Sequence, residues 1–137
     1  MTEPAIPDTP YRFWTEEKLR NADTDLQGHV NNAVMSSFFE AGRIEVLADP
    51  AIAHIRAVTR IVVVKMLIEF RKELFFPGRV KIGTGLSKIG RTSLEFEQAI
   101  HAVNGEVATA LATCVLMDRE TRRPTPVPDE MRRFLIG

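Results

Sequence analysis

Residues 23–43 read DTDLQGHVNNAVMSSFFEAGR, and the change of character halfway along this stretch decides how the rest of the chain is organised. Residues 21 to 32, NADTDLQGHVNN, are dominated by turn and cap types, whose short polar side chains bond nearby backbone in place of a ladder. From residue 33 onward Val34, Met35, Phe38, Phe39, Gly42 and Val46 recur at helical spacing, with Ala41 and Leu47 beside them. That spacing predicts a helix of about seventeen residues, about 25 Å long at 1.5 Å per residue. Its apolar face is wide, which predicts deep burial. Asn31 or Asn32 is the expected N-cap, because a side-chain oxygen there satisfies one of the free N–H groups of the first turn. Gly42 lies inside the helix, where glycine costs about 1 kcal/mol relative to alanine; we read it as the mark of another backbone passing close by.

Past Asp49-Pro50 the apolar period falls to two. Residues 58 to 72, VTRIVVVKMLIEFRK, are rich in β-branched side chains and predict a long strand. Residues 80 to 87, 91 to 103 and 106 to 118 alternate in the same way, and Asn104-Gly105 is a two-residue hairpin signal. Links this short predict an antiparallel meander. Upstream, residues 11 to 20 predict a first strand, and residues 1 to 10, with Pro4, Pro7 and Pro10, a loose arm. The tail from Arg119 carries Pro124, Pro126 and Pro128 before DEMRRFL, an extended crossing followed by a short helix. Strand, long helix and four strands in that order give an α+β class, an antiparallel sheet with one helix against one face. One helix does not cover both faces of five strands. The 58–72 strand is apolar on both sides from Ile61 to Leu67, which predicts burial on both faces or edge pairing with another subunit. A homo-oligomer, a dimer or a dimer of dimers, is therefore expected.

The 137 residues make one domain, residues 1–137, with 45% hydrophobic and 26% charged residues. Eighteen Lys and Arg balance eighteen Asp and Glu, so the basic excess of a nucleic-acid binder is absent and little charge repulsion opposes self-association. The single cysteine, Cys114, excludes a disulfide framework and reads as a buried, inert thiol. His29, His54 and His101 belong to separate elements with no metal-ligand spacing, so no metal site is expected. No run approaches eighteen apolar residues, so no membrane span is expected. The N-terminus lacks a basic segment followed by an apolar run, so no signal peptide is expected, and cytoplasm is the default compartment.

Asp23, Asp25, Gln27, His29, Asn31 and Asn32 crowd the mouth of the predicted helix. A helix N-terminus offers free N–H groups at its positive end, and such donors hold a carbonyl oxygen that turns negative during acyl transfer. A carboxylate beside it serves as nucleophile or as the base for water. From the residues alone, capping by Asp and Asn and packing by His29 account for the same pattern.

The string from Asp23 to Arg43 resembles the signature of hotdog-fold acyl-CoA thioesterases of the 4-hydroxybenzoyl-CoA thioesterase type. It carries Asp23, Asp25, Gly28, His29, Val30, Asn31, Asn32, the aromatic pair Phe38-Phe39, Glu40 and Arg43. The resemblance extends over almost the whole chain and implies a hotdog fold, one long central helix wrapped by a five-stranded antiparallel sheet. It implies hydrolysis of an acyl-CoA thioester with no cofactor beyond the coenzyme A of the substrate. Asp25 is then the catalytic carboxylate, as nucleophile or general base, and the Asn32 N–H, with Asn31 before it, the oxyanion donor. Plant acyl-ACP thioesterases resemble the segment as well, which adds Gln27 and His29 as catalytic candidates. Met35 stands where relatives often carry Tyr, implying a more aliphatic, adaptable pocket. For the phosphates of coenzyme A the resemblance points to Lys88, Arg91, Thr92 and Ser93, with Arg71 and Lys72 as further candidates. An acyl-ACP thioesterase and a non-catalytic acyl-CoA-binding hotdog protein are the alternatives; a hotdog dehydratase is disfavoured, because its His-Phe-Pro-Gly signature is absent.

Overall fold

The computed structural model describes residues 11–137, so the expected arm at residues 1–10 lies outside the described residues. Helix α1 runs Asn32–Leu47, 16 residues, about 24 Å. It starts where the polar segment supplies a cap: Asn31 Oδ1 accepts the Ala33 N–H at 2.8 Å. Of the two candidate caps, Asn31 is the one used, and Asn32 is the first helical residue.

The strands are β1 (Phe13–Lys18), β2 (Thr59–Phe70), β3 (Arg79–Ile89), β4 (Ser93–Ala102) and β5 (Gly105–Asp118). They form one sheet in the order β1-β3-β4-β5-β2, every pair antiparallel. The meander β3-β4-β5 is as expected, and the arrangement is that of the hotdog fold. The β4–β5 link is Val103-Asn104, one residue earlier than the expected Asn104-Gly105, because Ala102 already pairs with Gly105. Gly105 opens β5 at φ +102°, a backbone region that disfavours other residues. Two short helices follow from the rest of the chain: α2 (Ala53–Arg56), which periodicity did not signal, and α3 (Asp129–Ile136), the expected terminal helix.

Helix α1 lies across β1, β3 and β4. Its first half buries Met35, Phe38 and Phe39 with Val30, Leu74, Val80, Ile82 and Ile100. Its second half buries Val46 and Leu47 with Ile52, Leu94, Phe96, Leu116, Met131 and Leu135. A polar band separates the two clusters. Gln98 Nε2 donates to the Phe39 carbonyl at 2.9 Å and to Thr84 Oγ1 at 3.0 Å, and Gln98 Oε1 accepts from Arg43 Nη1 at 3.0 Å. Gly42 sits on this band. A Cβ there would lie 2.9 Å from Ile82 Cγ2, 2.9 Å from Thr84 Oγ1 and 3.0 Å from Gln98 Nε2. The close approach is thus made by side chains, which corrects the expectation of a second backbone. Gly42→Ala should gain about 1 kcal/mol of helix propensity and lose about 1–3 kcal/mol to overpacking. The net expectation is destabilisation of up to about 2 kcal/mol, read as a lower urea midpoint; a raised midpoint would contradict the packing argument.

Strand β2 is an edge strand. Val62, Val64, Leu67 and Phe70 are 39%, 60%, 51% and 47% exposed, and the register slips by one residue at Val64. Burial on both faces therefore does not occur within the chain: Ile61, Met66 and Ile68 are partly buried against the core, while the other apolar residues from Val62 to Phe70 stay exposed.

Candidate active site

The polar segment before α1 folds into a small hairpin. Asp23 is buried and accepts from Arg20: the backbone N–H at 2.9 Å on Oδ2, Nη2 at 2.8 Å on Oδ1. Burial of the Asp23 carboxyl works to raise its pKa, but the hydrogen bonds and charge of Arg20 outweigh it and hold the group below its ordinary value. The Asp23 carbonyl also accepts the Asn31 N–H at 2.9 Å. Asp23 thus anchors the cap, while Asp25 stands at the hairpin tip. Asp25 is exposed, and its Oδ1 accepts the Gln27 N–H at 2.8 Å. The Asp25 N–H donates to the His29 carbonyl at 2.9 Å, and Gly28 closes the turn at φ +87°.

The returning strand of this hairpin meets the segment that leaves β2. The Val30 N–H donates to the Leu74 carbonyl at 2.7 Å. His29 pairs with Phe75 across a bridge, their rings edge to face at 5.5 Å. Between this segment and the start of α1 lies a cavity of about 320 Å³ walled by His29, Val30, Asn32, Met35 and residues 70–74. The Asn32 N–H has no acceptor among the described residues, and Asn32, which lines this cavity, stands at the positive end of the helix. His29 Nε2 lies 3.5 Å from Glu73 Oε1. Arg71 and Lys72 bring two cations to the same wall. Arg71 Nε lies 3.2 Å from Glu106 Oε1, and Lys72 Nζ donates to the Asn104 carbonyl at 2.6 Å.

Of the residues singled out from the sequence, His29, Asn32 and Met35 line this cavity together with Arg71 and Lys72. Asn31 caps the helix beside it. Asp25 and Gln27 sit on the adjoining turn and are not part of the wall. Glu73 went unnoticed in the sequence. It follows a strand as an ordinary charged residue, and only the tertiary pairing of residues 29–30 with 74–75 sets it beside His29. Lys88, Arg91, Thr92 and Ser93 lie at the β3–β4 turn, where Leu94 packs with Val46 and Leu47 at the far end of α1. Within one chain they are not brought to the cavity. Their backbone makes structural bonds instead: the Arg91 carbonyl accepts the Val127 N–H of the tail at 2.9 Å, and the Thr92 carbonyl accepts the Leu116 N–H of β5 at 2.8 Å. Cys114 is buried, and burial pushes its thiol pKa up, against an opposing effect of Arg43. Among the described residues no helix is long and apolar enough to cross a membrane.

Comparison with known proteins agrees with this geometry. The family model described as the thioesterase-like superfamily matches residues 19–135. A thioesterase from Thermus thermophilus, solved in complex with coenzyme A and zinc, is 26% identical; the match covers 93% of this chain and 99% of that one, with a TM-score of 0.82. A predicted thioesterase from Bacillus stearothermophilus is 32% identical over 90% of this chain and 92% of its own, with a TM-score of 0.79. A chloroplastic acyl-acyl carrier protein thioesterase of Arabidopsis thaliana is 30% identical over 125 residues, 87% of this chain; the match spans 65% of that longer protein. The fold, matched over nearly the whole chain, is thus what this chain shares with proteins described as thioesterases, and the chain belongs to the thioesterase-like superfamily as a thioester hydrolase of the hotdog fold.

Proposed function

We propose that the substrate is an acyl thioester of coenzyme A, cleaved to the free acid and the thiol. The unpartnered Asn32 N–H on a cavity that also holds His29, Glu73, Arg71 and Lys72 carries this reading. The thioester oxygen would accept from the Asn32 N–H, which strengthens as the oxygen becomes negative. Asp25, as the family resemblance implies, would attack the carbonyl carbon or take the proton of the attacking water. His29, oriented by Glu73 and assisted by Gln27 on the turn, would hold that water. The C–S bond then breaks; a thiolate leaves readily, so a second acid is not required. Met35 favours a flexible aliphatic acyl group, and Arg71 and Lys72 suit the phosphates.

In this reading the chain works in the cytoplasm as a homodimer joined at the β2 edges. Antiparallel pairing of β2 with its own copy reverses the second sheet. The turn bearing Lys88, Arg91, Thr92 and Ser93 of the second copy then comes toward the end where the first copy's α1 begins. That orientation is what would give those four residues a role at the cavity. The resemblance to the plant protein supports a second reading, an acyl group delivered on acyl carrier protein, with the same needs at the carbonyl.

Free-thiol release from short, medium, long and aromatic acyl-CoA esters, and from an acyl carrier protein ester, tests both readings. Turnover of a coenzyme A ester is expected. Turnover of the carrier-protein ester alone would move the second reading to the front. His29→Ala and Glu73→Gln should each reduce kcat, by about 10²-fold for loss of the imidazole, with the thermal midpoint retained.

A further inference from the structure

The face of the sheet turned away from α1 carries a buried polar atom that no bond satisfies. Ile82 packs in the core with Met35. Its neighbour Gly83 points the other way, where a Cβ would lie 2.9 Å from Tyr11 and 3.0 Å from Trp14. His101 lies on that far side, its ring edge to face with Trp14 at 5.7 Å. The His101 side chain is 13% exposed, and its Nε2 is buried with no hydrogen-bond partner among the described residues. Such an atom calls for an explanation, because an unpaired buried polar group is costly. Glu106 Oε2 stands 3.6 Å from it, too far for a hydrogen bond but in reach of an ion pair once the imidazole is charged.

The other oxygen of that carboxylate is already engaged. Arg71 Nε lies 3.2 Å from Glu106 Oε1. Arg71 Nη2 donates to Thr109 Oγ1 at 3.4 Å and lies 3.9 Å from Glu69 Oε1. The Arg71 backbone is pinned to β5, its N–H donating to the Val107 carbonyl at 2.9 Å. Arg71 lines two cavities: the candidate site beside α1, and a groove of about 180 Å³ that it shares with Tyr11, Leu67, Glu97 and Leu111. Its guanidinium therefore stands between the two, and Glu106 holds it. The other charges around His101 come from each neighbouring strand. Lys81 pairs with it on β3, and Lys81 Nζ lies 4.0 Å from Glu16 Oε2 on β1. Burial pushes the Tyr11 hydroxyl pKa up, Glu97 and Glu106 add to this, and Arg71 opposes it, so these three charges share one field. Lys72 is bonded to the Asn104 carbonyl at the adjoining turn.

We propose that Glu106 and His101 are positioning residues for Arg71: a protonated His101 engages Glu106 and turns Arg71 over to the phosphates of the substrate. With a neutral imidazole, one carboxylate balances one guanidinium. A protonated imidazole carries an N–H on Nε2 and sets a second cation against the same carboxylate. Glu106 does not neutralise both. Arg71 is then left with charge to spare, which a phosphate at the cavity satisfies better, in a bidentate bond, than Glu69 at 3.9 Å. Histidine is the side chain that gains its charge between about pH 8 and 5, so phosphate binding should tighten as the pH falls through that range. The coupling is reciprocal, so phosphate binding should also favour uptake of a proton. The inference rests on the coenzyme A reading of the proposed function and names what aims one of its cations.

Calorimetric titration of the full chain with coenzyme A, and with pantetheine, which lacks the nucleotide phosphates, tests it at pH 8 and pH 6. The variants are Glu106→Gln and His101→Gln, their folding checked by circular dichroism. In wild type the Kd for coenzyme A should fall at least about fivefold from pH 8 to pH 6, the low end of ordinary coupling between sites, while that for pantetheine stays put. Glu106→Gln should bind coenzyme A tightly at both pH values, and His101→Gln weakly at both. Titration of the phosphates themselves acts on all three proteins alike, so the ratio of the two Kd values is what is compared. Should His101→Gln not fold, Glu106→Gln decides alone. Equal ratios in wild type and variants, or a Glu106→Gln Kd at pH 8 no lower than that of wild type, overturn the proposal. Thiol release is followed on the same preparations. Coenzyme A bound with equal ratios defeats this inference alone. Coenzyme A bound by none of the proteins, with thiol released only from the carrier-protein ester, defeats the substrate reading and this inference with it.

Discussion

Asp25→Asn is expected to lower kcat for thiol release by about 10²–10⁴-fold, the range spanned by loss of a positioned base. The substitution is chosen because it spares the local structure. Asp25 Oδ1 accepts the Gln27 N–H in the turn, and the carbonyl oxygen of asparagine makes the same bond. The exposed position asks for no packing change. An amide, however, can neither attack a thioester nor remove a proton from water. The drop should therefore appear in kcat with an unchanged thermal midpoint and little change in binding of a non-hydrolysable acyl-CoA analogue. Asp23→Asn, two residues away, should do the opposite. It weakens the Arg20 ion pair under the cap and should cost stability before it costs chemistry. Retention of kcat in Asp25→Asn would remove Asp25 from the mechanism and leave Glu73, the carboxylate on the cavity wall, as the group to test next.

Phe39→Ala is expected to lose about 3–5 kcal/mol of folding stability, a large share of the roughly 5–15 kcal/mol available to a domain. Phe39 is fully buried in the first half of the core, with Met35, Val80, Ile82 and Ile100. Its neighbour along the helix face is Gly42, whose lack of a side chain lets Ile82 and Thr84 approach, so the sheet is already drawn in and has little room to close over a cavity. The Phe39 carbonyl would still accept from Gln98, which isolates the packing loss from the polar band. Chemical denaturation measures the change, and a loss under about 1 kcal/mol would mean that α1 is not seated in the core as described.

Much of this molecule was legible one element at a time. The cap at Asn31, the length of α1 and the alternation of β3, β4 and β5 depend on spacing within a few residues, which sequence displays directly. The tight hairpin was legible to within one residue, since Gly105 and not the turn proper carries the positive φ. The helix start with its free N–H was legible for the same reason, because N-terminal donors are orphaned by helix geometry itself. Gly42 was visible as an anomaly, but what approaches it is set by β3 and β4, 40 and more residues away.

The amino-acid sequence by itself thus determined the class of fold, the position of the polar turn before α1 and the even balance of charge. Tertiary structure alone decided three things. It placed Glu73 against His29, because the segment after β2 pairs with the hairpin before α1. It separated Lys88, Arg91, Thr92 and Ser93 from the cavity by the length of α1. It made β2 an exposed edge instead of a strand buried on both faces. Each of these follows from strand order, and strand order depends on which distant apolar surfaces cover one another, a property of the whole chain that local periodicity does not carry.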